Sequence, residues 1–177
     1  MKTKIFRTLS LLFVAGLLSF SFFRQWTIKE GYNIAIDNFD ITGKFEKFEG
    51  SIVFDESSLE KSSFKVKVDV KSLSTGNILK TKSALSSEWF HASQYPSIDF
   101  VSSGIEKTGA TYRVTGNLTI RGITRPVVIP FAFVNEGSEG VFSGEFVVNR
   151  VDFEVGSEQS EVEYDVKVIL KVPVKRS

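Results

Sequence analysis

The chain has 177 residues, no cysteine, one histidine and a formal net charge of +1 at pH 7. The lack of cysteine excludes disulfides, cysteine–metal sites and thiol catalysis, and the even mixture of charges excludes the basic face that nucleic-acid binding needs. Seventeen phenylalanines are more than a core of this size usually takes, which predicts either a large aromatic core or the lining of an apolar cavity.

The N-terminal residues have the layout of a secretory signal. Lys2, Lys4 and Arg7 precede an uncharged run from Thr8 to Phe23, which as a helix would span about 24 Å, less than the ~30 Å of a membrane's hydrocarbon core. We therefore predict a signal over residues 1–23 and export to the periplasm or out of the cell, with a retained N-terminal membrane anchor as the alternative. Residues 24–177 then form one domain.

Most of that domain alternates between apolar and polar residues. Phe64, Val66 and Val68, for example, alternate with Lys65 and Lys67, and a period of two is typical of antiparallel strands with one dry face and one wet face. The predicted helix is 77–90, and the predicted strands are 26–36, 40–45, 50–55, 63–72, 97–105, 111–121, 124–136, 140–150 and 161–174.

Strands of this kind in one domain build either a sandwich or a closed barrel. An eight-stranded barrel can be packed solid, or it can hold one small ligand. The long alternating strands and the surplus of phenylalanine favour the barrel. We therefore expect an all-β fold, an antiparallel β-barrel of about eight strands with one short helix near its mouth.

The stretch "RGITRP" (121–126) lies between two apolar runs and predicts the tip of a hairpin. Gly122 provides a backbone conformation that other residues rarely adopt, and Pro126 stands where a strand can lack a hydrogen-bond donor. Arg121 and Arg125 would then lie at a barrel rim. They are either solvated turn charges or a pair that contacts an anionic or carbonyl head group.

Two further charged residues are predicted to point into the barrel. Arg150 and Asp152 are in phase with Phe146 and Val148 along their strand. Because an unpaired buried charge is costly, we expect them to pair with each other or with backbone groups. A polar contact deep in a cavity is the alternative role.

Five segments resemble one protein family. They are "ITGKFEKFEGSIVFD" (41–55), "DVKSLSTGN" (69–77), "EWFHASQYPSIDFVS" (88–102), "VTGNLTIRGITRPVVIP" (114–130) and "NRVDFEVG" (149–156). Their order and spacing are similar to those of the YceI-like family of periplasmic, lipocalin-like lipid-binding proteins. The resemblance implies an extended antiparallel barrel whose interior takes a long-chain polyisoprenoid or related amphiphile. It implies no catalytic residue and no cofactor, and family members are often homodimers.

The chain departs from the family pattern at polar positions. "KEGYNIAID" (29–37) lacks the histidine of the family's D-x-x-H-S segment, and "KTKSAL" (80–85) lacks the Arg, Asp and His of its R-D-x-H-L segment. Glu154 replaces the glycine of the D-F-G signature. The resemblance therefore defines a cavity better than it defines the ligand's head group.

The aromatic residues of the mature chain are the candidates for a cavity lining, although such a residue is more often plain core than a ligand-contacting wall. Trp89 and Phe90 are favoured, because a helix beside a barrel mouth can act as its lid. The candidate lining residues are Phe39, Phe45, Phe48, Phe54, Phe64, Trp89, Phe90, Tyr95, Phe100, Phe131, Phe133, Phe146 and Phe153.

The sequence thus predicts non-enzymatic binding of a long-chain amphiphilic lipid, for carriage or sequestration in the cell envelope. The ligand would be a polyisoprenoid, an isoprenoid quinone or a fatty-acid-like molecule, and transient contact with a membrane is compatible with it. His91 has no second metal ligand or positioned nucleophile near it in the sequence, and no catalytic motif is present. The alternative is an extracytoplasmic interaction or structural protein with a filled β core and no ligand.

Overall fold

A computed structural model describes residues 24–38 and 41–177. The predicted signal (1–23) and the candidate Phe39 lie outside the described residues. The helix α1 is Ile78–Ala84, and three 3₁₀ turns cover Leu59–Lys61, Val70–Ser72 and Arg150–Phe153. The strands are β1 (Gln25–Ile28), β2 (Asn33–Asp37), β3 (Thr42–Phe45), β4 (Phe48–Val53), β5 (Ser63–Asp69), β6 (Leu73–Ser74), β7 (Ser97–Thr108), β8 (Thr111–Ile120), β9 (Ile123–Glu136), β10 (Glu139–Asn149) and β11 (Asp165–Arg176).

Eight of these strands close into a ring. The order is β1-β4-β5-β7-β8-β9-β10-β11, and β11 pairs back with β1. Every neighbouring pair is antiparallel. The predicted antiparallel barrel of about eight strands is therefore confirmed, and the closure by β1 and β11 excludes a sandwich.

The remaining three strands extend the ring at one end. β2 pairs with β11 beyond β1, β3 pairs with β2, and β6 pairs with β3. The strand predicted over 26–36 is thus two strands, because the chain is interrupted at Gly31, whose φ of +86° is unfavourable for other residues. Both pieces still run along the same edge of β11.

The helix is shorter than predicted. The Asn77 side chain accepts hydrogen bonds from the backbone N–H groups of Leu79 and Lys80 and so caps the N-terminus of α1. The helix ends at Ala84, and turns follow in which the backbone N–H of Phe90 donates to the Ala84 carbonyl. Trp89 and Phe90, predicted to be helical, therefore lie in these turns.

The barrel has two different ends. The closed end carries Arg24, the β4–β5 loop (54–62) and the tight turns at 109–110 and 137–138. The mouth, at the other end, carries α1, the mouth loop (85–96), the β8–β9 turn (121–122) and the long loop (150–164).

An aromatic cluster fills the closed end, and Phe54 is its centre. The Phe54 ring is 1% exposed, and its centroid lies 5.1 Å from those of Tyr112 and Phe133 and 5.3 Å from that of Phe142. The indole N–H of Trp26 donates to the Phe54 carbonyl at 2.9 Å. Since Phe64 and Phe131 complete the cluster, the barrel interior is solid at this end.

The barrel wall is incomplete between β9 and β10 towards the mouth. These strands pair only over Ala132–Glu136 and Glu139–Ser143. In the register of the β8–β9 hairpin, the even-numbered residues of β9 direct their backbone polar groups away from β8. Pro126 and Pro130 occupy that unpaired edge, where a missing N–H costs no ladder bond and blunts the edge against pairing with another chain.

Substituting the centre of the aromatic cluster tests its role in stability. Phe54→Ala removes a fully buried ring, and we expect a loss of about 3–5 kcal/mol in the free energy of unfolding, measured by urea denaturation. Phe146→Ala is the matched control, because Phe146 is half-buried on a more open part of the interior. An equal loss in both variants would contradict the assignment of Phe54 as the centre.

Candidate functional site

A cavity of about 230 Å³ occupies the mouth half of the barrel. A water molecule needs at least ~10–15 Å³ of such space, so the cavity is roughly fifteen to twenty-three times that minimum. Its lining is almost entirely apolar. The interior is therefore divided between a solid aromatic half and a hollow half.

Nine of the seventeen candidate residues lie in the cavity lining. Trp89 and Phe90 reach it from the mouth loop, where the Phe90 ring packs edge-on against Phe45 with centroids 6.1 Å apart. Phe64 and Phe131 contribute to both the aromatic cluster and the lining. The candidates in the lining are Phe45, Phe48, Phe64, Trp89, Phe90, Phe100, Phe131, Phe146 and Arg150.

Four aromatic candidates lie elsewhere. Phe54 and Phe133 belong to the aromatic cluster, with Phe133 edge-on to Trp26 at 5.1 Å. Phe153 is buried in the 3₁₀ turn that follows β10. The Tyr95 ring covers the β8–β9 turn, since a Cβ built on Gly122 would lie 3.1 Å from it.

Most of the remaining lining is aliphatic, and the sequence reasoning did not select it as a cavity wall. Ile34, Val68, Leu118, Val168 and Leu170 all line the cavity. The sequence pattern could have identified these residues, because a period of two places them on the inward faces of the strands. The high phenylalanine count drew the selection towards aromatic residues, many of which pack against one another at the closed end.

Arg121 joins three segments at the mouth. The residue has a φ of +51° beside Gly122 at +75°, the geometry of a two-residue hairpin turn. Its Nη1 donates to the carbonyls of Trp89 at 2.7 Å and Glu88 at 3.2 Å, and to that of Glu154. The guanidinium therefore fastens the mouth loop and the long loop to the β8–β9 turn. Arg125 lies exposed on β9 at the same rim.

Arg150 is a buried cation that holds the long loop. Its side chain is 4% exposed, and it donates to the carbonyls of Val155 at 2.8 Å, Ser157 at 3.1 Å, Val162 at 2.8 Å and Glu163 at 3.1 Å. The ion pairs found among the described residues do not include it. Backbone oxygens thus compensate the charge.

Two aromatic rings enclose the Arg150 guanidinium. Its Cζ lies 5.4 Å from the ring centroid of Trp89 and 5.3 Å from that of Tyr164, the distances of cation–π contacts. Asp152 was predicted to point inward with Arg150, but it is exposed. The reason is that Arg150–Phe153 form a 3₁₀ turn and do not continue the strand alternation.

Removing the Arg150 guanidinium should loosen the long loop. Arg150→Gln leaves buried carbonyls without donors, and we expect a loss of about 3 kcal/mol or more in the free energy of unfolding, together with faster cleavage after Glu158 and Glu161 by a glutamyl endopeptidase. Arg125→Gln, at the exposed arginine of the same rim, is the matched control. Equal cleavage rates in the two variants would show that Arg150 does not hold the loop.

A polar contact fastens the β4–β5 loop over the closed end. The Tyr112 hydroxyl donates to Glu56 Oε1 at 2.8 Å, and Asn135 Nδ2 donates to Glu56 Oε2 at 3.1 Å. Burial raises the pKa of Tyr112 to about 12, and the hydrogen bond to Glu56 and its negative charge contribute to the same increase. The folded protein therefore keeps this phenol protonated well above the ordinary pKa of ~10.

The sign of this shift predicts an alkaline loss of stability. The contribution of Tyr112 is fully present below pH ~10, where the phenol is protonated in both states, and is lost as the pH rises from there through about 12. In Glu56→Gln the pKa of Tyr112 should fall but remain above its ordinary value, because burial is the larger cause. The tyrosinate absorbance and the unfolding free energy, each measured against pH, check both statements.

Glu60→Gln is the control for this titration. Glu60 lies exposed on the same loop, so its substitution should leave the titration of Tyr112 unchanged. An identical alkaline profile in Glu56→Gln and in the original protein would refute the role of Glu56.

No group of three or more His, Cys, Asp or Glu side chains suited to a metal ion occurs among the described residues. His91 packs edge-on against Tyr95 with ring centroids 5.7 Å apart. Within the same ranges, no helix is long and apolar enough to cross a membrane.

A closed antiparallel barrel that is solid at one end and hollow at the other defines the class of this protein as a lipocalin-like β-barrel with an internal apolar cavity. Comparison with known families gives a narrower assignment. The sequence profile of the YceI-like domain matches residues 23–174, and the chain belongs to this family.

Relatives and solved structures agree with this assignment. A UPF0312 protein of Azotobacter vinelandii is 30% identical over 159 residues, which cover 81% of this chain and 82% of the relative. The crystal structure of Burkholderia cenocepacia BcnA has a TM-score of 0.76 at 28% identity and covers 80% of this chain and 95% of that one. A polyisoprenoid binding domain from Saccharophagus degradans has a TM-score of 0.59 at 10% identity, covering 86% and 94%, and this likeness concerns the fold alone.

Proposed function

We propose that the barrel binds a long-chain amphiphilic lipid in its cavity and carries or sequesters it in the cell envelope. The ligand class is a polyisoprenoid, an isoprenoid quinone or a fatty-acid-like molecule. The observation that carries the proposal is the apolar cavity of about 230 Å³ in a barrel whose other half is solid. The polyisoprenoid binding domain with the same fold supports it, as does the predicted N-terminal signal.

The solid closed end limits how a ligand can lie in the barrel. Because the aromatic cluster around Phe54 fills that end, an apolar tail can enter only through the mouth or through the gap between β9 and β10. The tail would end against Phe64 and Phe131, which border both the cluster and the cavity. The head group then remains near the mouth.

The energetics favour recognition of the chain over recognition of the head. Burying ~400 Å² of ligand chain at ~25 cal/mol per Å² yields on the order of 10 kcal/mol, against a cost of at least ~4 kcal/mol for lost freedom. The difference is then at most about 6 kcal/mol, which corresponds to a dissociation constant no lower than tens of micromolar. We therefore expect broad specificity for apolar chains.

The polar groups of the cavity support binding without chemistry. Arg150 is the one charged residue in the described lining, and its donors are already bonded to backbone carbonyls. A general acid–base reaction needs a titratable group within hydrogen-bonding reach of the substrate. Apart from Arg150, nearly all of the lining residues present aliphatic or aromatic carbon to the cavity. The proposed function is therefore non-enzymatic.

Solvent extraction tests the proposal directly. The protein is expressed with its N-terminal segment, purified from the cell envelope and extracted with organic solvent, and the extract is analysed by mass spectrometry. We expect a long-chain lipid in near-stoichiometric amount. A protein that carries no lipid and takes up no fluorescent polyprenyl or fatty-acid probe would instead favour an interaction protein.

Filling the cavity should abolish probe uptake while the fold is retained. Val168 of β11 lines the cavity beside Phe146, its cross-strand neighbour on β10. Val168→Phe therefore occupies ligand space, and we expect at least a tenfold weaker affinity for the fluorescent probe. Val147→Phe is the matched control, since Val147 lies on the adjacent strand with its side chain exposed. Unchanged affinity in a folded Val168→Phe variant would place the ligand elsewhere.

A further inference from the structure

The most exposed large apolar residues of the described structure are adjacent in the chain. Ile78 is 87% exposed and Leu79 is 77% exposed, and they form the first turn of α1 after the capping residue Asn77. Single exposed apolar residues are normal on protein surfaces, whereas two adjacent ones form a continuous apolar surface that a partner can cover. The other end of the same helix is buried, since Ala84 lines the cavity.

This pair, together with Lys71 and Lys82, is called here the α1 corner, and it lies at the cavity mouth. Thr75 and Thr81 hydrogen-bond through their hydroxyls at 2.9 Å and fix α1 against the end of β6. Ala84 follows Ile78 by six residue steps, about 9 Å along the helix axis. The cavity wall and the exposed pair therefore belong to one short rigid element.

The charges around the α1 corner are mainly positive, and the adjoining carboxylate of Asp69, which accepts from the Lys71 N–H, is paired with Lys47 at 3.6 Å. Residues 70–87 contain Lys71, Lys80 and Lys82 and no Asp or Glu. The long loop on the other side of the mouth has the opposite sign, with the acidic residues Asp152, Glu154, Glu158, Glu161 and Glu163. An anionic surface would attract the α1 corner and repel the long loop. The mouth would therefore approach such a surface with α1 closest to it.

We propose that the α1 corner docks on the surface of an anionic lipid bilayer. Ile78 and Leu79 enter the boundary between head groups and acyl chains, while the lysines contact the anionic head groups. The purpose of the docking rests on the proposed lipid-binding function, because it brings the cavity mouth to a source of lipid. The docking itself is measurable without any ligand in the cavity.

Site-specific labelling tests the contact. The chain has no cysteine, so Leu79→Cys can be labelled at one position with an environment-sensitive fluorophore, and Val134→Cys near the closed end is the matched control, with 54% exposure at Val134. With vesicles of phosphatidylcholine and phosphatidylglycerol, we expect a blue shift and increased emission at position 79 and little change at position 134. Equal responses at both positions, or none at either, would overturn the proposal.

Vesicle co-sedimentation separates the apolar and electrostatic parts. I78Q/L79Q should weaken partitioning to these vesicles by about tenfold or more. K71Q/K82Q should weaken partitioning to anionic vesicles by about tenfold, since each lysine contributes at most roughly fivefold. The weaker binding to phosphatidylcholine vesicles should be unchanged in this variant. If the wild-type protein binds both vesicle types equally, or if K71Q/K82Q binds anionic vesicles like wild type, the electrostatic part is overturned. If I78Q/L79Q binds like wild type, the apolar part is overturned.

A probe measurement in vesicle-free solution distinguishes docking from the proposed function. Ile78 and Leu79 are outside the cavity lining, so I78Q/L79Q should bind a fluorescent fatty-acid probe with wild-type affinity and lose only the rate of transfer from vesicles. A wild-type protein that docks on vesicles but binds no probe would support the docking and refute the proposed function. A double variant that folds but loses probe binding in solution would assign the pair to the ligand site and refute the docking.

Discussion

The packing of aromatic rings around Phe54 determines the rest of the interior. Rings contributed by β5, β8, β9 and β10 meet the Phe54 ring within about 6 Å, and the Trp26 indole is hydrogen-bonded to the Phe54 carbonyl. Protein interiors are packed as densely as organic crystals, so the cluster can stabilise the barrel from one end. The other half can then remain hollow, although empty space normally costs stability.

Alternation was sufficient to predict antiparallel strands because it determines which face of a strand is buried, whereas the choice of a barrel over a sandwich rested on strand length, the surplus of phenylalanine and the family resemblance. The same pattern does not determine the height of a residue, meaning its position along the barrel axis between the closed end and the mouth. Phe54 and Phe146 are both inward-facing, yet one is the centre of the aromatic cluster and the other lines the cavity. Height depends on the register of all eight strands, which is a long-range property. The candidate list therefore mixed the two groups of phenylalanines.

The polar part of the site was less predictable for a related reason. Arg121 was predicted at the rim and Arg150 was predicted to point into the barrel, and the partners of both are carbonyl oxygens on the mouth loop and the long loop. Backbone acceptors are present at every residue, so no motif reveals them. Both arginines organise loops around the cavity, and the surface of the cavity itself is almost entirely apolar. The histidines of the family pattern that segments 29–37 and 80–85 lack are polar residues, so their absence leaves the apolar part of the cavity intact.

The direction of the barrel constrains how the protein could meet a membrane. Arg24 is at the closed end, where its carbonyl accepts the Phe54 N–H and its guanidinium pairs with Asp55 at 3.1 Å. Residues 1–23 precede it, so a retained anchor would hold the closed end against its membrane and direct the mouth away by roughly 30 Å, the length of a twelve-residue strand tilted by about 40°. Docking through the α1 corner on that same membrane then requires a cleaved signal. With a retained anchor, the corner would instead face a second, opposing membrane.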